Sequence, residues 1–235
     1  RRFRHCLGGR RIACGTHWLG WQRPYCPTKR APHGAAGFSK AGTAVAKAFR
    51  MRAPPLELPP PLTEIRIRPE APSDADAITG VTERAFRHAP HTNHAEQYIV
   101  LALRRAGALS VSLVAQQDGN VVGHVAFSPV DISDGSPRWY GLGPVSVLPE
   151  LQGSGVGSAL VRQGLAALQA LGAQGCVVLG EPGYYGRFGF RSGQGLLLDG
   201  VPPEYFQSLS FGAQAAAGQV RYHAAFDAKE EGAAP

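Results

Sequence analysis

Between Gly143 and Gly157 the chain reads Gly-Pro-Val-Ser-Val-Leu-Pro-Glu-Leu-Gln-Gly-Ser-Gly-Val-Gly. An apolar, β-branched run ends at Pro149, and Gln152 then leads into glycines at Gly153, Gly155 and Gly157. A helical pattern begins at once with Ser158-Ala-Leu-Val-Arg-Gln. Strand, glycine turn and helix start together can hold a pyrophosphate. The first helical turn has free N–H groups and the positive end of the dipole. Glycine lets phosphate oxygens come close to the backbone. The spacing narrows the choice of phosphate loop. A P-loop needs Lys-Ser/Thr after its last glycine, whereas Ser158-Ala159 follows Gly157. A dinucleotide fingerprint needs G-x-G-x-x-G. Gly153-x-Gly155-x-Gly157 lacks that spacing, and Gly141-x-Gly143 has Ser146 where the third glycine belongs.

Other side chains could carry proton chemistry. Gly183-Tyr-Tyr-Gly-Arg-Phe-Gly-Phe190 gathers aromatics after the apolar run Cys176–Leu179. Tyr184, Phe188 and Phe190 read as packing at a core edge. No carboxylate stands within the run Trp139 to Leu142. Glu181 and His124 remain as candidate bases, His124 acting through a water, and Glu150 is expected to be solvated. His88, His91 and His94 recur every third residue, which suits a polar loop better than a metal site that still needs a fourth ligand.

The elements that must position these groups are legible in outline. Thr63 to Pro69 alternates apolar and charged, as a half-buried strand does. Ser73-x-x-Asp76 reads as a capping box for a helix with the stripe Ile78, Val81, Ala85 and Phe86. A second helix is predicted from Glu96 to Arg105. Val111–Gln117 and Val121–Val130 form a hairpin through Asp118-Gly119. Trp139–Val147 and Cys176–Leu179 are the fourth and fifth strands, and further strands fall near Gly195–Leu198 and Val220–His223. The order β-α-α-β-β-β-α-β-α-β-β is an α/β fold of the α+β type with a mixed sheet.

Charge divides the chain. Residues 1–50 hold eleven Lys/Arg and no Asp or Glu, whereas residues 51–235 keep thirteen against seventeen. Three readings of the first fifty residues stay open. They are an extension upstream of a true start at Met51, an Arg-rich targeting peptide, or a basic arm for nucleic acid or metal. The last would use His5, Cys6, Cys14, His17, Cys26 and His33, but no Cys-x2-Cys pair exists. The domain expectation is a basic, Pro-rich extension over 1–62, one domain over 63–227 and a disordered tail over 228–235. No apolar run is long enough to span a membrane. The lone Cys176 of the domain reads as a small buried hydrophobe, in keeping with a reducing cytoplasm.

The pattern Gln152-x-x-Gly155-x-Gly157, behind Val145-Ser-Val-Leu-Pro149, resembles motif A of the GNAT superfamily of acyl-CoA N-acyltransferases. The wording Leu179–Phe190 resembles its YhbS-like branch, and the resemblance covers roughly Ile65 to Phe226. It implies the GNAT fold and acetyl-CoA as co-substrate. Val145, Ser146 and Val147 would pair with the pantetheine, and Gln152, Gly153, Ser154, Gly155, Val156, Gly157 and Ser158 would hold the pyrophosphate. It also implies that Tyr185, four residues before Gly189-Phe190, protonates the departing thiolate, as a phenol can. Gly180-Glu181-Pro182 departs from the family, which carries an asparagine there. The implied partner is a small-molecule or peptide amine, with no metal, no membrane and no specific nucleic acid, and with a homodimer allowed. Phe86, His91, Tyr205 and Phe206 would line the acceptor side. The competing reading is an acyl-CoA-binding sensor that turns nothing over.

Overall fold

A computed structural model describes residues 64–89, 92, 94–212 and 216–229. The chain begins with strand β1 (Arg66–Pro69), followed by helices α1 (Ala75–Phe86) and α2 (Glu96–Arg105). Strands β2 (Val111–Gln117), β3 (Asn120–Ile132) and β4 (Trp139–Val147) then lead into α3 (Val156–Ala170) and β5 (Gly175–Leu179). A short helix α4 (Pro182–Tyr185) precedes β6 (Arg191–Ser192), β7 (Leu196–Leu197), β8 (Phe206–Ser210) and β9 (Gly218–Tyr222). The main sheet runs β1-β2-β3-β4-β5-β8-β6, with β9 against the end of β3 and β7 beside β9. The pairings are antiparallel except β4–β5 and β7–β9. This is the mixed α/β architecture expected from the sequence.

Local chemistry accounts for the joints. At the β2–β3 hairpin both Asp118 and Gly119 have positive φ, as a two-residue primed turn requires. The first helix starts differently from the expected box at Ser73. Residues Pro72–Asp74 form a 3-10 turn. Asp74 accepts from the Ala71 N–H at 2.7 Å and takes both arms of the Arg68 fork at 2.6 and 3.0 Å. The reciprocal contact therefore lies two residues earlier than the Ser73 pattern suggested.

The sheet carries helices on both faces. Leu160, Val161, Leu165 and Leu168 of α3 pack on Val125, Phe127, Leu142, Cys176 and Val178. Opposite them, Ile78 of α1 and Val100 of α2 cover Val114. Gly164 lets α3 lie close to the sheet, since a Cβ there would be 2.2 Å from the Phe127 ring. Two short strands escaped the sequence pattern. The β8 residues Phe206-Gln-Ser-Leu-Ser carry too few apolar positions to read as a buried strand, yet they pair with all of β5.

Candidate active site

The cleft is made by a parallel pair that parts. Trp139–Leu142 of β4 pairs with Gly175–Val178 of β5, and the pairing stops there. Beyond Leu142, β4 continues to Val147 against β3 alone, through a register shift at Gly143-Pro144. That leaves the Gly143–Val147 edge without a strand on the β5 side, next to a cavity of about 640 Å³. A cavity of this size suits a small-molecule site. Leu142, Gly143, Pro144 and Val145 line one wall, and Leu179, Glu181, Tyr184 and Tyr185 line the other. The Ser146 side chain points away from the cleft. It is fully buried and donates to Thr82 Oγ1 at 3.1 Å, so only its backbone can serve a ligand. The Val147 side chain belongs to the core.

The glycine turn continues directly from this edge. Gln152 Nε2 donates to the Val147 carbonyl at 3.0 Å, so this side chain ties the turn to the strand end. Gly153 and Gly155 have φ of +77° and +98°, which only glycine adopts without strain. No side chain caps α3, and no acidic residue stands in its first turn. The first N–H groups of that turn have no intrahelical partner, and Gln152 to Gly155 are exposed. A Cβ at Gly157 would stand 3.0 Å from the Tyr184 hydroxyl. Arg187 lies over the Tyr184 ring at 4.5 Å and reaches Ser158 Oγ at 3.4 Å. A cation and two hydroxyls therefore border the helix start, which suits an anion. The sequence pattern assigned Tyr184 to packing, which its edge-on contacts with Tyr185 and Phe188 agree with, and did not single out Arg187. The signal was there, since both stand in the stretch that holds Tyr185.

Tyr185 is half-buried in the opposite wall. Its ring meets Phe190 and Tyr184 edge-on at 6.0 and 4.9 Å. It also lies against Gly180, where a Cβ would be 2.1 Å from the ring. Glycine at 180 therefore makes room for this tyrosine. The Gly180 carbonyl is used internally, accepting from Gln207 Nε2 at 2.9 Å. Burial, reinforced by the neighbouring Tyr184 and Cys176, pushes the Tyr185 phenol well up. It is held as a neutral O–H donor. Tyr184 is also raised by burial, against the opposing bond to Ser158 and the nearby arginines.

Of the two candidate bases, only Glu181 lines the cleft. His124 does not, because strand alternation places it on the other face. Val125 and Phe127 point to α3, so His124 points beneath α1 and α2. It is fully buried, and its Nε2 lies 2.8 Å from Ser112 Oγ. The Glu70 carboxylate, 3.6 Å away, is too far for a direct bond. Ser112 bridges the two by donating to Glu70 at 2.5 Å. Burial lowers the imidazole, against the pull of Glu70. His124 is thus part of a sealed structural network and has no access to a substrate.

That network carries a prediction. Burial, the largest influence, would raise the Glu70 carboxyl, but the imidazole, the Arg104 fork and the Ser112 hydroxyl hold it far below the usual range. A carboxyl depressed in the folded state stabilises above its unfolded pKa of about 4.3 and loses that contribution in acid. Glu70→Gln is expected to lower Tm near neutral pH, with the deficit shrinking as pH falls below about 4. A Tm–pH series on both proteins checks this. A deficit that stays constant through the acid range would refute the role given to Glu70.

The remaining expectations fall as follows. Phe86 lines the cleft, Phe206 is buried in β8, and Tyr205 does not line the cavity. His91 lies outside the described residues. His94 Nδ1 is 3.0 Å from the Phe86 carbonyl. Among the described residues no group of three His, Cys, Asp or Glu side chains could hold a metal. Cys176 is buried and free. Glu150 pairs at the surface with Arg84 at 3.0 Å. Within the described residues no helix is long and apolar enough to cross a membrane. The basic segment 1–50 lies outside the described residues.

Residues 77–190 match the model of the acetyltransferase (GNAT) family. The uncharacterized N-acetyltransferase YhbS of Escherichia coli K12 is 41% identical over 126 residues, which are 53% of this chain and 72% of YhbS. A GNAT family acetyltransferase from Brucella melitensis, solved in complex with acetyl-CoA, is 53% identical. Its TM-score is 0.63, and the match covers 70% of this chain and 99% of that one. The structure of Escherichia coli YhbS in complex with CoA is 35% identical with a TM-score of 0.66, covering 72% and 94%.

Proposed function

The chain belongs to the GNAT family of N-acetyltransferases, and on that premise we propose that it moves an acetyl group from acetyl-CoA to a primary amine by direct attack in a ternary complex. The observation that carries this reading is the unpaired β4 edge that runs straight into an uncapped, glycine-rich helix start. The two features match the two ends of the ligand named for the Brucella and Escherichia relatives. A thioester arm can lie along the Val145–Val147 backbone as an added strand. Its pyrophosphate can then meet the N–H groups of Gly153 to Ser158, with Tyr184 and Arg187 beside them.

The chain's residues then divide the work. The β4 edge orients the thioester, and an N–H on it can polarise the carbonyl oxygen. Much of the rate comes from holding acceptor and thioester together in one cleft. The acceptor nitrogen attacks the carbonyl carbon as its neutral amine. The C–S bond breaks with its electron pair on sulfur, and the thiolate takes the phenolic proton of Tyr185. The nitrogen sheds one proton as the amide forms. Glu181, on the same wall, is the carboxylate placed to pass it to water or back to the Tyr185 oxygen. The free, buried Cys176 accords with a reducing, cytoplasmic setting, which belongs to the same proposal.

Calorimetric titration with acetyl-CoA, followed by an amine panel read by release of free thiol, tests the reading. Binding with micromolar or tighter affinity and amine-dependent thiol release are expected. Absence of acetyl-CoA binding would refute it.

A further inference from the structure

The cleft is lined by an excess of carboxylates. Glu96, Asp131, Glu181, Asp199 and Asp227 all line it. Among the described residues the full cation lining it is Arg221, which is exposed. His223 is there too, its Nδ1 accepting from the Ala225 N–H at 3.0 Å. Among the described residues none of the five carboxylates is in an ion pair.

Glu96 differs from the other four. It opens α2, is only 6% exposed and lines the cleft. Its Oε1 accepts from the Thr92 hydroxyl, while its Oε2 is buried with no hydrogen-bond partner among the described residues. A buried carboxylate oxygen without a donor is costly. A ligand N–H would relieve that cost. The same cavity is lined by Phe86, Tyr222 and Phe226, and the rings of the last two meet edge-on at 4.7 Å. Aromatic rings and an unpaired carboxylate in one cavity suit an organic cation.

Resting on the acetyl-transfer reading above, we infer that the acceptor is a primary amine carrying a second cationic group, and that Glu96 binds the cation that does not react. A carboxylate paired with an ammonium favours its charged form. It would therefore hinder attack if it held the reacting nitrogen, and it helps binding if it holds the other. The exposed Asp131, Asp199 and Asp227 then draw the dication to the mouth.

The test uses the whole chain and three amines of matched length: 1,4-diaminobutane, butylamine and 4-aminobutanoate. Thiol release is measured with each, beside calorimetric binding of acetyl-CoA. The diamine is expected to exceed butylamine in kcat/KM by about tenfold or more, with 4-aminobutanoate lower still. Added salt should raise the diamine KM most, since it screens the rim carboxylates. Glu96→Gln should raise the diamine KM by about tenfold while acetyl-CoA affinity stays as in the parent. Acetyl-CoA binding with no preference for the diamine overturns this inference and leaves the acetyl-transfer reading standing. Loss of acetyl-CoA binding by the parent overturns both. If Glu96→Gln does not fold, the parent's ranking of the three amines still decides. A folded Glu96→Gln with an unchanged diamine KM removes Glu96 from the acceptor site.

Discussion

Replacing Tyr185 with phenylalanine is expected to lower kcat for acetyl transfer by about 10²- to 10⁴-fold, the usual worth of a positioned proton donor. The acetyl-CoA dissociation constant should stay within about twofold. The contacts that hold Tyr185 are made by its ring, against Phe190, Tyr184 and Gly180, and phenylalanine keeps all of them. What is lost is the hydroxyl in the cleft wall. Expulsion of a thiolate then lacks its proton source, and the loss falls on the chemical step. Because burial pushes this phenol well above its ordinary value, the donor form persists beyond the pH of about 10 at which free tyrosine ionises. An alkaline fall in kcat below that pH therefore cannot belong to Tyr185. Single-turnover kinetics at several pH values, with calorimetry on the same preparations, make the measurement. A variant that binds acetyl-CoA and turns over at the parental rate would take the donor role from Tyr185. A parent that binds acetyl-CoA and acetylates none of the amines would favour the sensor reading.

The parts of this site legible in the sequence are the ones encoded locally. The glycine turn, the Asp118-Gly119 hairpin and the Tyr185-x3-Gly-Phe stretch each depend on a few consecutive residues whose backbone needs are specific. The spacing of the turn is enough by itself to exclude two other phosphate loops. The parts that were not legible depend on which face a strand presents, or on segments far apart in the chain. His124 fails as a base because one step of strand alternation turns it beneath α1 and α2, where Ser112 and Glu70 enclose it. Strand β8 was missed because its consecutive polar residues Gln207 and Ser208 are buried by tertiary contact, with Gln207 spent on the Gly180 carbonyl. The acceptor half was least legible of all. Glu96 from α2 and Tyr222 from β9 meet in one cavity only because β9 folds back onto the end of β3. Nothing in the spacing of residues so far apart signals that meeting.

The second large effect is expected at Gly157, and it separates binding from stability. Gly157 lies in the first turn of α3 with ordinary helical φ, so alanine is compatible with its backbone and a slightly better helix former. The fold should therefore tolerate Gly157→Ala with Tm unchanged or marginally higher. The ligand should not tolerate it. The new methyl would stand 3.0 Å from the Tyr184 hydroxyl and 3.5 Å from Val147 Cγ2. It would displace the hydroxyl and cover the N–H groups to which the pyrophosphate must come close. We expect acetyl-CoA affinity to fall by about ten- to a hundredfold, which is roughly 1.4 to 2.8 kcal/mol. Gly155→Ala provides the contrast. Its φ of +98° is a conformation that a Cβ strains, at a cost of about 1–2 kcal/mol, so affinity and Tm should fall together. Calorimetry and thermal melts on the two variants distinguish a ligand-facing glycine from a conformational one. If Gly157→Ala bound acetyl-CoA as tightly as the parent, the phosphate would have to lie elsewhere than on the first turn of α3, and Tyr184 and Arg187 would lose their proposed role with it.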